Sequence, residues 1–185
     1  MKVRKLKASR LILALILVFI ALFMALNYKK IGYALYPTKF SEYVEKYSSE
    51  YGVDKYLVYS IIKTESKFHT RAISSKKAKG LMQITDKTAA WGRQELGLGD
   101  ADIYDPETNI RIGIWYLGKL QKEFRGEYKL VIAAYNGGSG NVRKWLRTRD
   151  YSKDGKNLAK IPFNETSKYS QKVLDNYEKY KYLYE

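Results

Sequence analysis

The sequence predicts an all-α fold behind one N-terminal transmembrane helix. Three observations carry that reading. Beyond residue 40, apolar residues recur at spacings of three and four, the period of a single helix face. No run shows sustained period-two alternation, and no internal repeat is visible. The chain opens with a basic head and an apolar run of sixteen residues, Leu11 to Leu26, too apolar on every face for a surface helix of a globular domain.

The N-terminus reads as a targeting segment. The ten residues from Met1 to Arg10 carry five positive charges and no negative ones, and Lys29 and Lys30 follow the apolar run. As a helix the run spans about 24 Å, short of the ~30 Å hydrocarbon core. Interfacial Asn27 and Tyr28 with snorkelling basic side chains can close the gap. Residues 1–28 are therefore read as a cytoplasmic basic tail and a membrane anchor, with the folded domain on the outer side by the positive-inside rule. A cleavable signal peptide is the rival reading. No convincing small-x-small site follows the run, although Ala21 and Ala25 keep that option open. Residues 29–40, with Pro37 near their end, read as a tether, and 41–185 as one domain.

The domain reads as a chain of helices. Ser41 is taken as the cap of a helix carrying Tyr43, Val44 and Tyr47, stopped near Gly52. Asp54 caps the next, whose stripe is Leu57, Val58, Ile61, Ile62 and Glu65. Residues 74–80 form a loop of small and basic residues. Asp86 is read as the cap of a helix through Trp91 that stops at Gly97 and Gly99. Asp105-Pro106-Glu107 is a strong start signal, combining an N-cap, proline at the first helical position and an acid in the first turn. Ile110, Gly113, Ile114, Leu117, Leu120 and Phe124 keep helical period after it. Tyr128 to Asn136 forms a helix ending at Gly137-Gly138, and Val142 to Leu146 a short one. A polar loop then leads to a last helix marked by Tyr169, Val173, Leu174, Tyr177 and Tyr180.

Composition bounds the function. The 185 residues hold 34 Lys and Arg against 19 Asp and Glu, a net charge of +15. Without the first ten residues the balance is still +10. That favours anionic partners such as a membrane surface, nucleic acid or an acidic cell-wall polymer. No basic recognition helix or aromatic platform motif accompanies the charge, and an external location argues against nucleic acid. There is no cysteine, which excludes disulfides, zinc thiolates and a Cys nucleophile. His69 is the single histidine, so a His-rich metal site is excluded as well. No metal or organic cofactor is expected.

Glu65 carries the chemistry. Periodicity reserves its position for a core residue, and a carboxyl group in apolar surroundings resists ionisation. A general acid near neutral pH needs that upward shift. Position alone also fits a helix-end Glu that turns to solvent or pairs with Lys63 or Lys67. Around it the sequence supplies amide, hydroxyl and glycine-loop groups: Gly80-Leu81-Met82-Gln83, Ala133-Ala134-Tyr135-Asn136-Gly137-Gly138 and Glu165-Thr166. Gly80 would let backbone approach a ligand, and Gln83 offers an amide donor and acceptor.

These motifs, in this order, resemble the lysozyme-like (goose-type) catalytic domain of the soluble lytic transglycosylase (SLT) family over residues 52–180. Glu65-Ser66-Lys67-Phe68 is similar to the family's acid motif, and Ser74 with Gly80-Leu81-Met82-Gln83-Ile84 to the next. Asp105-Pro106, Asn109, Gly113 and Tyr116-Leu117 resemble the central helix. Ala133 to Gly138 with Val142, and Ile161-Pro162-Phe163 with Glu165-Thr166, Tyr169 and Val173-Leu174, complete the series. The departures are Thr70 for Pro, Lys77 for Gly and Gly137 for Ala. Lys77 puts the turn before Gly80 in question.

The resemblance implies a membrane-anchored enzyme cutting peptidoglycan glycan strands between N-acetylmuramic acid (MurNAc) and N-acetylglucosamine (GlcNAc). Glu65 would be the single acid and base. Ser74, Met82 through its backbone, and Tyr135 would line subsites, with Gly80, Leu81, Gln83, Asn136, Glu165 and Tyr169 supporting or contacting substrate. Asp86, Asp102 or Glu165 could still be folded close to Glu65 as a second acid. A hydrolytic muramidase and a non-catalytic cell-wall-binding module are the alternatives, and a cell-wall, secretion or division complex is a conceivable setting.

Overall fold

The computed structural model describes the backbone of residues 2–185 and the side chains of residues 12–185. The side chains of the basic tail to Arg10 lie outside the described residues. The chain divides into two compact units, one up to Pro37 and one from Thr38 onward.

The first unit is a single helix, α1 (Lys2–Leu35). Its stretch Ile12–Leu35 is long and apolar enough to cross a membrane by length and composition. The helix continues to Leu35 and so takes in the first half of the segment read as a tether. Lys29, Lys30, Ile31 and Gly32 do not break it, because one glycine costs a helix only about 1 kcal/mol.

The second unit holds seven helices: α2 (Ser41–Tyr51), α3 (Lys55–Glu65), α4 (Asp86–Leu96), α5 (Pro106–Glu123), α6 (Tyr128–Gly137), α7 (Ser139–Arg147) and α8 (Asn164–Tyr184). Two isolated antiparallel bridges, Ile73 with Lys79 and Lys79 with Ile84, fold the loop between α3 and α4 on itself. The helix signals at Asp54 and Asp105 hold: Asp54 accepts from the Tyr56 N–H at 2.7 Å and Asp105 from the Thr108 N–H at 2.8 Å. Two others fall one residue early. Thr85, not Asp86, caps α4 through the Thr88 N–H, leaving Asp86 to pair with Lys79. Ser41 is the first residue of α2, and the Phe40 carbonyl takes the N–H groups of Tyr43 and Val44. The short helix α7 begins at Ser139 rather than near Val142, since Gly138 alone makes the break.

The core is built around α5, which packs against α2, α4 and α6. Its Ile110, Ile112, Ile114, Leu117 and Leu120 are buried on several sides at once. Full burial of each such side chain contributes about 1.5–3 kcal/mol. The second axis of the fold is the antiparallel pair α3 and α8. Leu57, Val58, Ile61 and Ile62 are inaccessible to solvent. Two adjacent residues of α8 reach the two ends of α3: Tyr177 donates to Asp54 at 2.8 Å, and Asn176 to Thr64 at 3.0 Å.

Ser60 and Asn109 are polar yet wholly inside this core, and Asn109 joins separate segments of it. Asn109 accepts the Met82 N–H at 2.8 Å and donates to the carbonyls of Lys79 at 3.0 Å and Ile103 at 2.8 Å. It thereby fastens the loop after α3 to the start of α5. Two glycines make room for the join. A Cβ at Gly80, where φ is +77°, would collide with the Asn109 amide, and a Cβ at Gly113 would collide with the Met82 sulfur. Replacing Asn109 by Ala orphans the buried Met82 N–H and leaves a void. We expect Asn109→Ala to lower unfolding stability by about 3 kcal/mol, read by urea denaturation of the detergent-solubilised chain. Near-unchanged stability would remove Asn109 from this structural role.

Candidate active site

Glu65 is the last residue of α3, at the point where the buried apolar face reaches solvent. Its carboxyl group is half-buried and lines an open cavity of about 720 Å³ walled by residues 64–73. It is the only carboxylate in that lining. Burial pushes its pKa from the ordinary 4.5 up to about 7, against the opposing pull of the Tyr169 hydroxyl and the Lys172 charge. Tyr169, on α8, donates to Glu65 Oε1 at 2.7 Å. The clamp of α8 on α3 therefore both desolvates the acid and aims it. Burial and the neighbouring Glu65 charge raise the Tyr169 and Tyr135 phenols well above their ordinary value, so both stay protonated donors.

The loop that follows is strained where it meets the site. Among the described residues six non-glycine residues have positive φ, and four of them flank Glu65 or the bridged loop: Lys67, Phe68, Lys77 and Gln83. Each left-handed residue of this kind costs on the order of 1 kcal/mol or more. Lys77, in the turn before Gly80, takes φ +61°. The turn is held by Ser74, whose carbonyl accepts the Lys77 N–H at 2.9 Å and whose hydroxyl accepts the Ala78 N–H at 3.1 Å. Gln83 folds its amide back, donating to the carbonyls of Ala72 at 3.1 Å and Gly80 at 2.9 Å. Its Oε1 remains as an acceptor.

Beyond the loop lies a second cavity of about 320 Å³, lined by Gln83, Thr85, Thr88, Tyr116, Tyr135 and Asn136 among others. Tyr135 donates to the Met82 carbonyl at 2.7 Å, fixing the α6 ring against the Gly80–Gln83 loop. Asn136 accepts from Thr166 at 2.8 Å, which ties the end of α6 to the start of α8.

The residues singled out from sequence fall into three groups. Glu65 and Tyr169 are in direct contact, and Gln83, Tyr135 and Asn136 share the second cavity. Gly80, Leu81 and Met82 shape the wall between, with the Leu81 and Met82 side chains in the core. The Met82 N–H belongs to Asn109 and its carbonyl already accepts from Tyr135, which leaves that carbonyl's second lone pair. Gly80 leaves room for the close approach of the Asn109 amide. Ser74 closes its turn. Glu165 stands apart, 70% exposed, and pairs with Lys76 at 3.0 Å. Asp86 pairs with Lys79, Asp102 accepts the Tyr104 N–H, and neither lines the Glu65 cavity.

Four lining residues, His69, Thr85, Thr88 and Tyr116, were not among the candidates from sequence. His69 is exposed and walls the Glu65 cavity, its Nδ1 held 2.7 Å from the Ser66 carbonyl. Because a carbonyl only accepts, Nδ1 carries the proton. Thr85 and Thr88 had no signal beyond a helix start. Tyr116 was visible only as a member of the central-helix pattern.

A raised acid has a stability signature. The folded chain keeps the Glu65 proton between about pH 4.5 and 7, where the unfolded chain has lost it. Its contribution is therefore fully present below the ordinary value and is lost as pH rises through 7. Glu65→Gln removes that dependence. At pH 8 the variant should be more stable than the parent by about 2 kcal/mol, and the two should converge near pH 4. Denaturation midpoints across that range check it, and parallel curves would mean Glu65 titrates normally.

Comparison with known proteins places this geometry. Residues 42–158 match the transglycosylase SLT domain family. The membrane-bound lytic murein transglycosylase C of Sodalis glossinidius is 32% identical over 79% of the chain, which spans 44% of that protein. The soluble lytic murein transglycosylase of Escherichia coli K12 is 32% identical over 78% of the chain and 24% of its own length. The chain thus spans less than half the length of these relatives. The crystal structure of the 70 kDa soluble lytic transglycosylase of Escherichia coli superposes with a TM-score of 0.70 at 29% identity, over 80% of this chain and 25% of that one. Lytic transglycosylase Slt of Pseudomonas aeruginosa, solved as an inactive Glu-to-Gln mutant, gives 0.68 at 31% identity, over 80% of this chain and 25% of that one. An all-α unit with one raised carboxylic acid at its cleft, matched over these lengths, belongs to the transglycosylase SLT domain family.

Proposed function

We propose that this chain is a membrane-anchored murein lytic transglycosylase that cleaves the MurNAc-β-1,4-GlcNAc bond and leaves 1,6-anhydro-MurNAc ends. The observation that carries the reading is Glu65: a lone carboxyl group in its cavity, pushed to about 7 by burial and oriented by Tyr169. Near neutral pH such a group is partly acid and partly base, which suits one residue to both proton transfers.

The protonated Glu65 gives its proton to the bridging oxygen as the bond to the anomeric carbon breaks, and the GlcNAc unit leaves with a free hydroxyl. The substrate's N-acetyl group steadies the positive charge left behind. The muramoyl 6-hydroxyl then bonds to the anomeric carbon, and its proton passes to the Glu65 carboxylate. The acid is restored and no water is consumed. An internal nucleophile acts at a very high effective concentration, worth about 7–11 kcal/mol when well aligned. Ordinary glycosidases instead flank the bond with two carboxylates. Gln83, the Met82 carbonyl, Tyr135 and Asn136 supply the polar contacts for neighbouring sugars. The similarity to membrane-bound relatives and the apolar stretch Ile12–Leu35 support an anchored, single-pass arrangement with the domain outside the cytoplasm.

Mass spectrometry of muropeptides released from purified peptidoglycan by the full chain in detergent tests the reading. We expect products one water lighter than reducing muropeptides, and a loss of at least about a thousandfold in release with Glu65→Gln. Reducing-end muramic acid would mean that water attacks and the enzyme is a muramidase. Undiminished cleavage by Glu65→Gln would sink the assignment of the acid, and sedimentation on the wall without release would mark a binding module.

The Tyr169 contact gives a pH test. Its hydroxyl favours the Glu65 carboxylate, so Tyr169→Phe should raise the Glu65 pKa. Activity that needs the protonated acid falls as pH rises through that value, so the descending limb of kcat/KM should move to higher pH by about half a unit to one unit. A limb that stays in place would assign it to another group.

A further inference from the structure

One tryptophan is left uncovered beside the second cavity. Trp91 on α4 is 42% exposed, whereas Trp115 and Trp145 are 5% and 3% exposed. Its ring lies edge-on to Trp115 at 4.7 Å and to Tyr116 at 6.2 Å between centroids. Tyr116 lies 5.7 Å from Tyr135. Tyr135 and Tyr116 both line the 320 Å³ cavity, so the three rings run outward in the order Tyr135, Tyr116, Trp91. Trp91 also follows Thr88, another lining residue, by three positions, which puts it on the same side of α4 one turn farther on.

Core packing does not account for this placement. An indole left this open forgoes a good part of the gain from burying it. The ring is nevertheless held still. Trp115 buttresses it, and Lys119 Nζ stands 5.7 Å from its centroid while bonding Glu95 at 3.2 Å. A fixed aromatic surface costs little ordering entropy on binding. Its surroundings mix an apolar face with a polar rim of Lys119, Glu95 and Thr88. A pyranose ring has the matching character, with C–H groups on its faces and hydroxyls at its edge.

We propose that Trp91 is a sugar-stacking platform that extends the cleft past Tyr135 and takes a ring of the β-1,4-linked amino-sugar strand remote from Glu65. The proposal rests on the glycan-cleaving reading of the Glu65 site and adds a length preference to it. Strands long enough to reach Trp91 are held better than short ones.

The test uses the full chain in detergent with Glu65→Gln, so that ligand is not consumed. Oligomers of β-1,4-linked GlcNAc, from disaccharide to hexasaccharide, are titrated by calorimetry and tryptophan fluorescence. We expect affinity to rise with length. Adding Trp91→Ala should weaken the hexasaccharide about tenfold, equivalent to ~1.4 kcal/mol. The disaccharide should change by less than about twofold, and Trp91→Phe should retain most of the hexasaccharide affinity. A length dependence untouched by Trp91→Ala would overturn the platform and leave the cleft intact. Equal losses for disaccharide and hexasaccharide would show a structural role and overturn it too. Absence of binding at every length, with Trp91 present, would remove the glycan reading of the Glu65 site and the platform with it.

Discussion

The desolvation of one carboxyl group is the constraint around which the domain is arranged. Glu65 ends an apolar helix face, and α8 lies along that face. Left alone, burial would keep the group neutral and inert as a base. Tyr169 and Lys172 pull the other way by favouring the charged form. The balance near 7 is thus a product of helix pairing, and it depends on the bonds that hold α8 in register, Tyr177 to Asp54 at one end of α3 and Asn176 to Thr64 near the other. A slip of α8 by one residue would turn Tyr169 away by about 100° around its helix and leave the acid with burial alone.

A second constraint sets the opposite wall. The loop from residue 72 to 84 has little secondary structure of its own, only two isolated bridges. What makes it rigid is Asn109, a polar side chain placed where α5 would otherwise carry an apolar one. It satisfies three backbone groups of surrounding loops and is itself shielded from water. The strained residues Lys77 and Gln83 persist because this anchoring determines the backbone path around them. Tyr135 then bonds the Met82 carbonyl, so the aromatic wall of the cleft rests on the same anchor.

How much of this was legible follows from how local each signal is. Asp54 and Asp105 announce their helices because a cap involves residues two or three apart, a range that sequence displays. Thr85 and Asp86 are both good caps, and only the pairing of Asp86 with Lys79 decides between them. The stripe ending in Glu65 was readable as a buried acid, since periodicity states which face a residue joins. Its partner Tyr169 lies 104 positions away and no local rule connects them. Gly80, Asn109, Met82 and Gly113 were all visible as separate pattern members, yet their interlock is a matter of three-dimensional fit. For that reason the link between the glycine at 80 and the Asn109 amide left no mark in the sequence. His69 reaches the cavity wall through a backbone turn at Lys67 and Phe68 that leaves no mark in composition.

The charge of the chain sharpens the point about Glu65. A protein of net charge +15 should favour carboxylates in their ionised form. Lys63, Lys67, Lys172 and Lys179 are near enough to one another for the last three to depress Lys63 further, beyond the lowering that its burial causes. Yet at Glu65 burial outweighs the one lysine that acts on it. Distant surface charges act through water and are screened within about 8–10 Å at physiological salt. The loss of solvation is local and is not screened. The surface can therefore stay strongly basic without drawing the proton from Glu65. The basic surface and the Glu65 proton are separated by the difference in range between a screened charge and a local loss of solvation.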